Sequence, residues 1–192
     1  MKVYDISQEV FSCKVYPGDP KPERMALKSF AKGGGYNLTA FSMCAHNGTH
    51  VDAPAHFLAD SPTIDRIPLE QFVGDCLVVR HEGDVTAEDA REMVAKLVEV
   101  PRLLIAGKAT VTREAAHVFA DAKLRLVGNE SQSVGPEDAP SAVHKILLGN
   151  GVVLLEGIVL TNIPEGKYLL CAAPLNLAGS DGAPCRAVLI EP

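Results

Sequence analysis

The chain has 192 residues, of which 47% are hydrophobic and 22% charged, and it carries a net charge of −6. This length and composition favour one globular domain over residues 1–192 and argue against disorder. The acidic balance argues against a nucleic-acid partner, and the apolar runs are too short to cross a bilayer. Because the first residues lack the apolar core of a signal peptide, we expect a cytoplasmic protein without a membrane partner.

The order of apolar runs and helical stripes predicts a mixed α/β protein. Strands are predicted where apolar residues alternate or run together, and helices where they recur at helical spacing. Thr86 and Asp89 resemble a capping box at the start of the first helix. In chain order the predicted elements are three strands (3–6, 24–30 and 37–43), a strand, a helix and a strand (76–80, 86–98 and 103–106), a helix and a strand (112–122 and 124–127), a helix and a strand (140–148 and 152–155), and two closing strands (168–173 and 187–190).

Residues 46–56 form the most unusual segment, with the sequence His-Asn-Gly-Thr-His-Val-Asp-Ala-Pro-Ala-His. The segment holds three of the six histidines of the chain together with one aspartate. Neutral imidazole and carboxylate are the usual ligands of zinc and its first-row neighbours, and histidine also carries protons near neutral pH. A hydrogen-bonded His–Asp pair at a turn is the simpler alternative, but four possible ligands in one stretch favour a metal site.

Gly48 and Pro54 determine the expected conformation of this segment. Gly48 permits a tight or left-handed backbone, and Pro54 stiffens the chain and disfavours helix in the residue before it. A continuous helix is therefore not expected. In an extended chain, His50, Asp52 and His56 have the same parity and point to one side. The first histidine of the segment would fold back across the glycine to join them.

A second unusual residue is Glu156, which interrupts the apolar run that continues from residue 152 to residue 160. A carboxylate that is buried without a partner is costly. Glu156 therefore either lies in solvent at the end of a strand or is compensated by a positive group. His144 lies on the predicted helix 140–148, where the local sequence gives little reason to treat it as a metal ligand.

The five cysteines are odd in number and widely scattered, which is typical of reduced thiols in a cytosolic protein. Cys44 lies two residues before His46, where it either lines the same site or packs in the core. A hydrolase that uses Cys44 as its nucleophile, with His46 or His50 as the base, is an alternative to metal chemistry.

The segment 46–56 fits the pattern HxGTHxDxPxH at every position, and here the chain resembles the cyclase-like metal-dependent hydrolases. That family includes bacterial kynurenine formamidases and isatin hydrolases. The similarity continues in stretches 4–7 and 15–19 near the start and in 142–157 and 184–188 near the end. It therefore spans nearly the whole chain.

The resemblance implies a site with one or two divalent metal ions, Zn²⁺ or Mn²⁺, and a separate proton carrier. Asp52 is implied to bridge two ions, and His56 is implied to accept a proton from water and pass it to the leaving group. The implied metal ligands are His46, His50, Asp52, His144 and Glu156.

Two positions depart from the family pattern. Tyr16 stands where kynurenine formamidases have a tryptophan, and the chain contains no tryptophan. A tyrosine ring can still stack on an aryl amide, so we expect Tyr16 to contact the substrate. Glu130 stands where an aspartate is expected. Both changes leave the metal chemistry intact and weaken any specific substrate assignment.

For architecture, the resemblance implies a swivelling β/β/α domain, which is an α/β fold with a mixed sheet and few helices. It also implies a homodimer or homotetramer that acts on a small molecule. The implied activity is hydrolysis of a small amide, formamide or lactam, similar to that of kynurenine formamidase, with His56 as general base and acid. The alternatives are an isatin-hydrolase-like lactam hydrolase and a non-catalytic metal-dependent protein that binds a small molecule.

Overall fold

A mixed nine-stranded β-sheet forms the centre of the computed structural model, which describes residues 1–191. Within these residues, two further pairs of strands lie outside that sheet. The strands are β1 (Lys2–Asp5), β2 (Glu23–Lys28), β3 (Leu38–Ser42), β4 (His50–Asp52), β5 (Val73–Arg80), β6 (Gly83–Val85), β7 (Arg102–Ala106), β8 (Ala109–Val111), β9 (Leu126–Asn129), β10 (Val153–Glu156), β11 (Gly166–Cys171), β12 (Gly182–Pro184) and β13 (Val188–Glu191). The α-helices are α1 (Ala87–Ala95), α2 (Arg113–Asp121) and α3 (Ser141–Gly149).

The large sheet has a parallel centre and antiparallel flanks. Its strand order is β1-β13-β11-β5-β7-β9-β10-β4-β12. The neighbours β5, β7, β9 and β10 pair in parallel, and the remaining pairs are antiparallel. Parallel neighbours need crossover connections, and α1, α2 and α3 lie in the three connections between these four strands. The predicted α/β fold with a mixed sheet and few helices is confirmed.

The central strands are apolar throughout because both faces of the sheet are covered. Leu103 and Ile105 of β7 pack in one buried cluster with Phe119 of α2. Leu104, which lies between them, points to the opposite face and belongs to a second cluster with Leu155 of β10. The continuous apolar runs of the sequence therefore reflect two separate layers of core.

The predicted strands and helices are all present, with ends that differ by a few residues. The capping box of α1 is confirmed, since Thr86 Oγ1 accepts from Asp89 N at 3.2 Å and Asp89 Oδ2 accepts from Thr86 N at 2.9 Å. This helix ends at Ala95 rather than at Val98, because the chain then tightens into 3-10-type turns, in which Lys96 N donates to Met93 O at 3.1 Å and Leu97 N donates to Val94 O at 3.0 Å. The three-residue strands β6, β8 and β12 were not predicted, since they are too short to show an alternating pattern.

The histidine-rich segment is extended only in its middle. His50–Asp52 form β4, as the extended conformation predicts, but Pro54–His56 form a 3-10 turn. His56 N donates to Ala53 O at 3.0 Å in that turn. Pro54 is suited to the first position of the turn, where a missing N–H group costs nothing. The expectation that His56 continues the extended chain is therefore wrong.

The hairpin of β2 and β3, which we call the arm, pairs with no other strand among residues 1–191. Its apolar side chains are largely exposed, which is unusual for strands. The exposed apolar residues of the arm and its connection are Met25, Leu27, Phe30, Tyr36, Leu38 and Phe41. Among the described residues, no helix is both long and apolar enough to span a membrane.

Candidate metal centre

Strand β4 brings His50 and Asp52 to the candidate site. They are two residues apart on one strand, so their side chains lie on the same face. His50 is opposite Glu156 in the antiparallel pairing of β4 with β10, and α3 contributes His144. These four side chains have exposed fractions of 3% or less. Glu156 is therefore buried, and its placement in solvent is excluded.

The two imidazole rings face the same pair of carboxylates. His50 Nε2 lies 3.4 Å from Asp52 Oδ1 and 3.4 Å from Glu156 Oε2. His144 Nε2 lies 3.4 Å from Asp52 Oδ2 and 3.2 Å from Glu156 Oε1. Each carboxylate thus offers one oxygen to each ring, and the four groups surround a common centre.

The far nitrogen of each ring is held by the backbone. His50 Nδ1 donates to Gly48 O at 2.9 Å, and His144 Nδ1 donates to Pro140 O at 2.9 Å. In a neutral imidazole this leaves the lone pair on Nε2, which faces the carboxylates. Asp52 Oδ2 is buried and has no hydrogen-bond partner within residues 1–191. Lone pairs and anionic oxygens directed at one point fit a divalent cation.

Without a cation, protons compensate the carboxylates. Burial lowers the pKa of His50, but hydrogen bonds to Asp52 and Glu156 outweigh it and raise that pKa to about 10. The same balance raises the pKa of His144 to about 10. Burial raises the pKa of Asp52, but hydrogen bonds from the histidines hold that pKa well below its ordinary value. The carboxylates therefore stay ionised and attract either protons or a metal ion.

The other two predicted histidines flank Asp52. His46 precedes β4, and its Nδ1 lies 2.8 Å from Asp52 Oδ1. His56 follows β4, and its ring stacks on that of His46 with 4.0 Å between centroids. The structure therefore brings all six predicted metal-site and proton-transfer residues together, although they come from three separate parts of the chain.

Two groups of three side chains could each hold a metal ion. Within each group, every residue offers one ligand atom, and these atoms all lie within 4.8 Å of one another. One group is His50, Asp52 and Glu156, and the other is His46, Asp52 and His56. Asp52 belongs to both groups, which is compatible with the bridging role that the resemblance implies for it. The geometry of the second group is also compatible with His56 as a metal ligand.

A cavity of about 380 Å³ opens onto these residues. Tyr16 and Phe57 supply aromatic wall, and Gln132 and Ser133 supply polar wall. The hydroxyl of Tyr16 donates to Glu137 O, which fixes the ring at the cavity wall. The predicted substrate-contact residue thus lines the cavity of the metal site.

Cys44 also lines this cavity. Burial raises the pKa of the Cys44 thiol above its ordinary value. A nucleophilic cysteine needs a lowered pKa, because the thiolate is the reactive form. The geometry therefore favours the metal-centred chemistry over a cysteine nucleophile.

Glu130 does not line the cavity, and its carboxylate contacts the backbone of two loops instead. Its two carboxylate oxygens accept from Gly107 N at 2.6 Å and from Leu160 N at 2.8 Å. It therefore ties together two loops that follow strands β7 and β10. The glutamate at this position does not alter the metal site.

Asp181 is a charged residue of the site that sequence reasoning missed. Its Oδ2 lies 3.0 Å from His46 Nε2 and 3.2 Å from His56 Nδ1. The residue immediately precedes β12, which pairs with β4. Nothing in the local sequence around Asp181 indicates a metal or catalytic site, because only the pairing of distant strands brings it there.

Comparisons with known proteins agree with this geometry. The family model described as "Putative cyclase" matches residues 4–136. Kynurenine formamidase from Salinibacter ruber is 34% identical over 98% of this chain and 97% of its own length. The solved structure of a "predicted metal-dependent hydrolase" from Bacillus stearothermophilus is 29% identical, with a TM-score of 0.80 over 98% of this chain and 97% of that one. Isatin hydrolase A from Labrenzia aggregata, at 21% identity, shares the fold with a TM-score of 0.84 over 98% and 93% of the two chains.

The family match covers more than half of the chain, and the formamidase is similar over nearly its whole length. The buried histidines and carboxylates fit a divalent metal ion. The chain belongs to the cyclase family of metal-dependent hydrolases.

Proposed function

We propose that this hydrolase cleaves the C–N bond of a small aryl formamide, amide or lactam. Kynurenine formamidase activity is the leading assignment. The observation that carries the proposal is the convergence of His50, Asp52, His144 and Glu156 on one point in a cavity wall. Kynurenine formamidases among the relatives support the formamide assignment.

The proposed metal ligands are those that the resemblance implies, and Asp52 is shared by both ions, as it is shared by the two groups of ligand atoms in the structure. His46, His50 and Asp52 would hold a first ion, while His144 and Glu156 would complete a second site with Asp52. A divalent cation supplies Lewis acidity for the substrate carbonyl and lowers the pKa of water bound to it. The set of nitrogen and oxygen ligands suits Zn²⁺ or Mn²⁺, and we propose one or two ions per chain.

His56 is the proposed proton carrier. Its side chain lines the cavity and is 27% exposed. Burial lowers the pKa of His56 below its ordinary value, so the ring is neutral at pH 7 and can accept a proton. His56 would take one proton from the attacking water and return it to the leaving nitrogen, so that no covalent enzyme intermediate forms.

The cavity supports a substrate with one aromatic ring. Its volume of about 380 Å³ lies within the range of small-molecule sites, and Tyr16 and Phe57 offer aromatic surface. Gln132 and Ser133 each have a buried side-chain oxygen without a partner among the described residues. We propose that Tyr16 stacks on the aryl group and that the polar wall hydrogen-bonds the amide.

Elemental analysis of purified protein, followed by assays on N-formylkynurenine and isatin, tests the proposal. We expect bound Zn²⁺ or Mn²⁺, loss of turnover after chelation, and recovery when the metal is restored. Turnover of isatin alone would identify a lactam hydrolase instead. Tight binding of a substrate without turnover would show a binding protein, and activity that survives complete metal removal would contradict metal catalysis.

We also propose that the protein is a homodimer or homotetramer assembled through the arm. Leu27 and Phe30 of the arm are 58% and 64% exposed, and apolar surface of this extent is typical of an interface. Light scattering is expected to give a multiple of the 20.4 kDa chain mass. The double variant Leu27→Lys/Phe30→Lys should lower that mass, whereas Val98→Lys, at a 65% exposed position outside the arm, should not.

We place the protein in the cytoplasm. All five cysteines are free thiols in the structure, which is typical of a reducing compartment. Fractionation of the source cells would find the chain with cytoplasmic markers, and recovery with secreted proteins would contradict this placement.

A further inference from the structure

The carboxylate of Asp181 contacts two histidines with a single oxygen. His46 Nε2 and His56 Nδ1 lie 3.0 Å and 3.2 Å from Asp181 Oδ2, and the two rings stack on each other. A carboxylate has no proton to give when ionised, so both ring nitrogens must be the donors. The contact therefore places a proton on the nitrogen of each ring that faces Asp181.

The backbone holds Asp181 firmly at this position. Ala53 N donates to Asp181 O at 2.9 Å, immediately after β4, and Ile64 N donates to Ser180 O at 2.9 Å. Gly182, the next residue, lies against the ring of His46 so closely that a Cβ there would be 2.6 Å from Cε1. These contacts place the Asp181 side chain beside both histidines.

We propose that Asp181 is a positioning residue that sets the tautomer of His56 and the orientation of His46. In His56, a proton held on Nδ1 by Asp181 leaves the lone pair on Nε2, which is the form that accepts a proton from water. His46 donates from Nε2 to Asp181 while its Nδ1 lies 2.8 Å from Asp52 Oδ1, so Asp181 fixes the orientation of this ring beside Asp52. Asp181 thereby prepares the His56 ring for proton transfer and holds the His46 ring beside Asp52. The catalytic part of this inference rests on the proposed function.

The charge of Asp181 suits this role. An aspartate carboxylate is ordinarily ionised at neutral pH, and Oδ2 of Asp181 faces a nitrogen of each of two imidazole rings. A charged acceptor forms stronger hydrogen bonds than a carbonyl and makes the ring that donates to it a better ligand or base. His50 and His144, by contrast, donate to backbone carbonyls.

The decisive experiment measures tautomers in metal-free protein. Two-bond ¹H–¹⁵N spectra of histidine-labelled protein, with the signals of His56 assigned through His56→Ala, report which nitrogen carries the proton. We expect the Nδ1–H form of His56 in the native protein and a shift toward the Nε2–H form in Asp181→Ala. An unchanged tautomer in Asp181→Ala would overturn the proposal. This readout needs no substrate, so it stands even if the proposed activity is not found.

Kinetics and metal affinity provide a second readout on an active substrate. Asp181→Ala is expected to lower kcat about 100-fold with little change in KM, and to weaken Zn²⁺ binding about 10- to 100-fold. Asp181→Asn keeps one oxygen acceptor and should retain more activity than the alanine variant. A rise in KM alone would mean that Asp181 binds substrate instead, and would overturn the positioning role.

Asp65 provides a matched control for damage to the loop. Its carboxylate accepts from Gly179 N at 3.0 Å and from Thr63 Oγ1 at 2.7 Å, so it anchors the same loop without touching either histidine. Asp65→Ala should lower the Tm and leave the His56 tautomer and kcat near native values. An equal loss of kcat in Asp65→Ala and Asp181→Ala would show that the role of Asp181 is only structural.

Discussion

The four histidines of the centre differ in the acceptor to which one nitrogen of each ring donates. Backbone carbonyls hold His50 and His144, which are almost fully buried in the wall of the cavity. Asp181 holds His46 and His56, which border the cavity. Rings that are fixed by the backbone in the interior are suited to ligation, whereas a cavity-facing ring with a lowered pKa is suited to exchange protons.

Replacement of His56 distinguishes between its two possible roles, which are proton carrier and metal ligand. His56→Ala is expected to lower kcat by roughly 10²- to 10⁴-fold, the usual contribution of a general acid–base group, while the metal content stays near native. Steady-state kinetics and elemental analysis of the same preparation measure both quantities. If the metal is lost together with activity, His56 is a ligand, as the group of His46, Asp52 and His56 would allow.

Metal binding is expected to release protons at pH 7.5. Burial lowers the pKa of His50 and His144, but hydrogen bonds to Asp52 and Glu156 raise it to about 10, so both rings are protonated in the metal-free protein. Roughly two protons must leave before these nitrogens can bind a cation. Metal affinity should therefore rise with pH up to about 10. Calorimetry in buffers of different ionisation enthalpy counts the protons, and a count of zero would contradict this ligand assignment.

At the scale of elements, strand β4 has only three residues, and yet it organises the site. Its period of two puts His50 and Asp52 on one face, and its register with β10 sets His50 opposite Glu156. The residues of this strand could be predicted from sequence because their pattern is local. The burial of Glu156 could be suspected from its apolar neighbours, although the identity of its partners could not.

The contribution of β12 could not be predicted from local sequence. Residues 182–184 show no apolar alternation, and their pairing with β4 joins segments that are far apart in the chain. Asp181 was missed for this reason. The turn at Pro54–His56 was also missed, because the parity argument assumes that the chain stays extended as far as His56.

The contact between β12 and the metal centre is expected to tolerate no side chain at Gly182. A Cβ there would lie 2.6 Å from His46 Cε1 and 2.8 Å from Val51 O, so the ring or the strand must shift. Gly182→Ala should cost about 1–3 kcal/mol in the free energy of unfolding and should weaken metal binding. Gly35→Ala is the matched control, since a Cβ at Gly35 has no other atom within 4 Å. Equal effects of the two substitutions on metal affinity would contradict the argument.

At the scale of the whole molecule, the sheet connects the chain ends to each other and to the site. β1 pairs with β13, so residues 2–5 and 188–191 lie together at one edge. The other edge is formed by β4, which holds His50 and Asp52, and by β12, which follows Asp181. The exposed arm lies outside this nine-stranded sheet. The apolar pattern of the arm predicted its strands correctly, but their exposure could not be predicted, because alternation does not reveal what covers a strand.

A bound metal ion is expected to stabilise the entire fold and not only the site. Its proposed ligands come from β4, α3 and β10, so the ion links segments about a hundred residues apart in the chain. At a free metal concentration 100 times the Kd, binding adds about 2.7 kcal/mol to the free energy of unfolding. For a chain of this size the Tm should rise by about 5–10 °C.

Scanning calorimetry of metal-loaded and chelated protein measures this shift. We expect one unfolding transition in each sample, because both chain ends and the site belong to the same sheet. In Glu156→Gln, which removes a proposed charged ligand, the shift on metal addition should shrink. Two separate transitions would show that residues 1–191 do not unfold as one domain. A full shift in Glu156→Gln would show instead that the stabilising ion binds elsewhere.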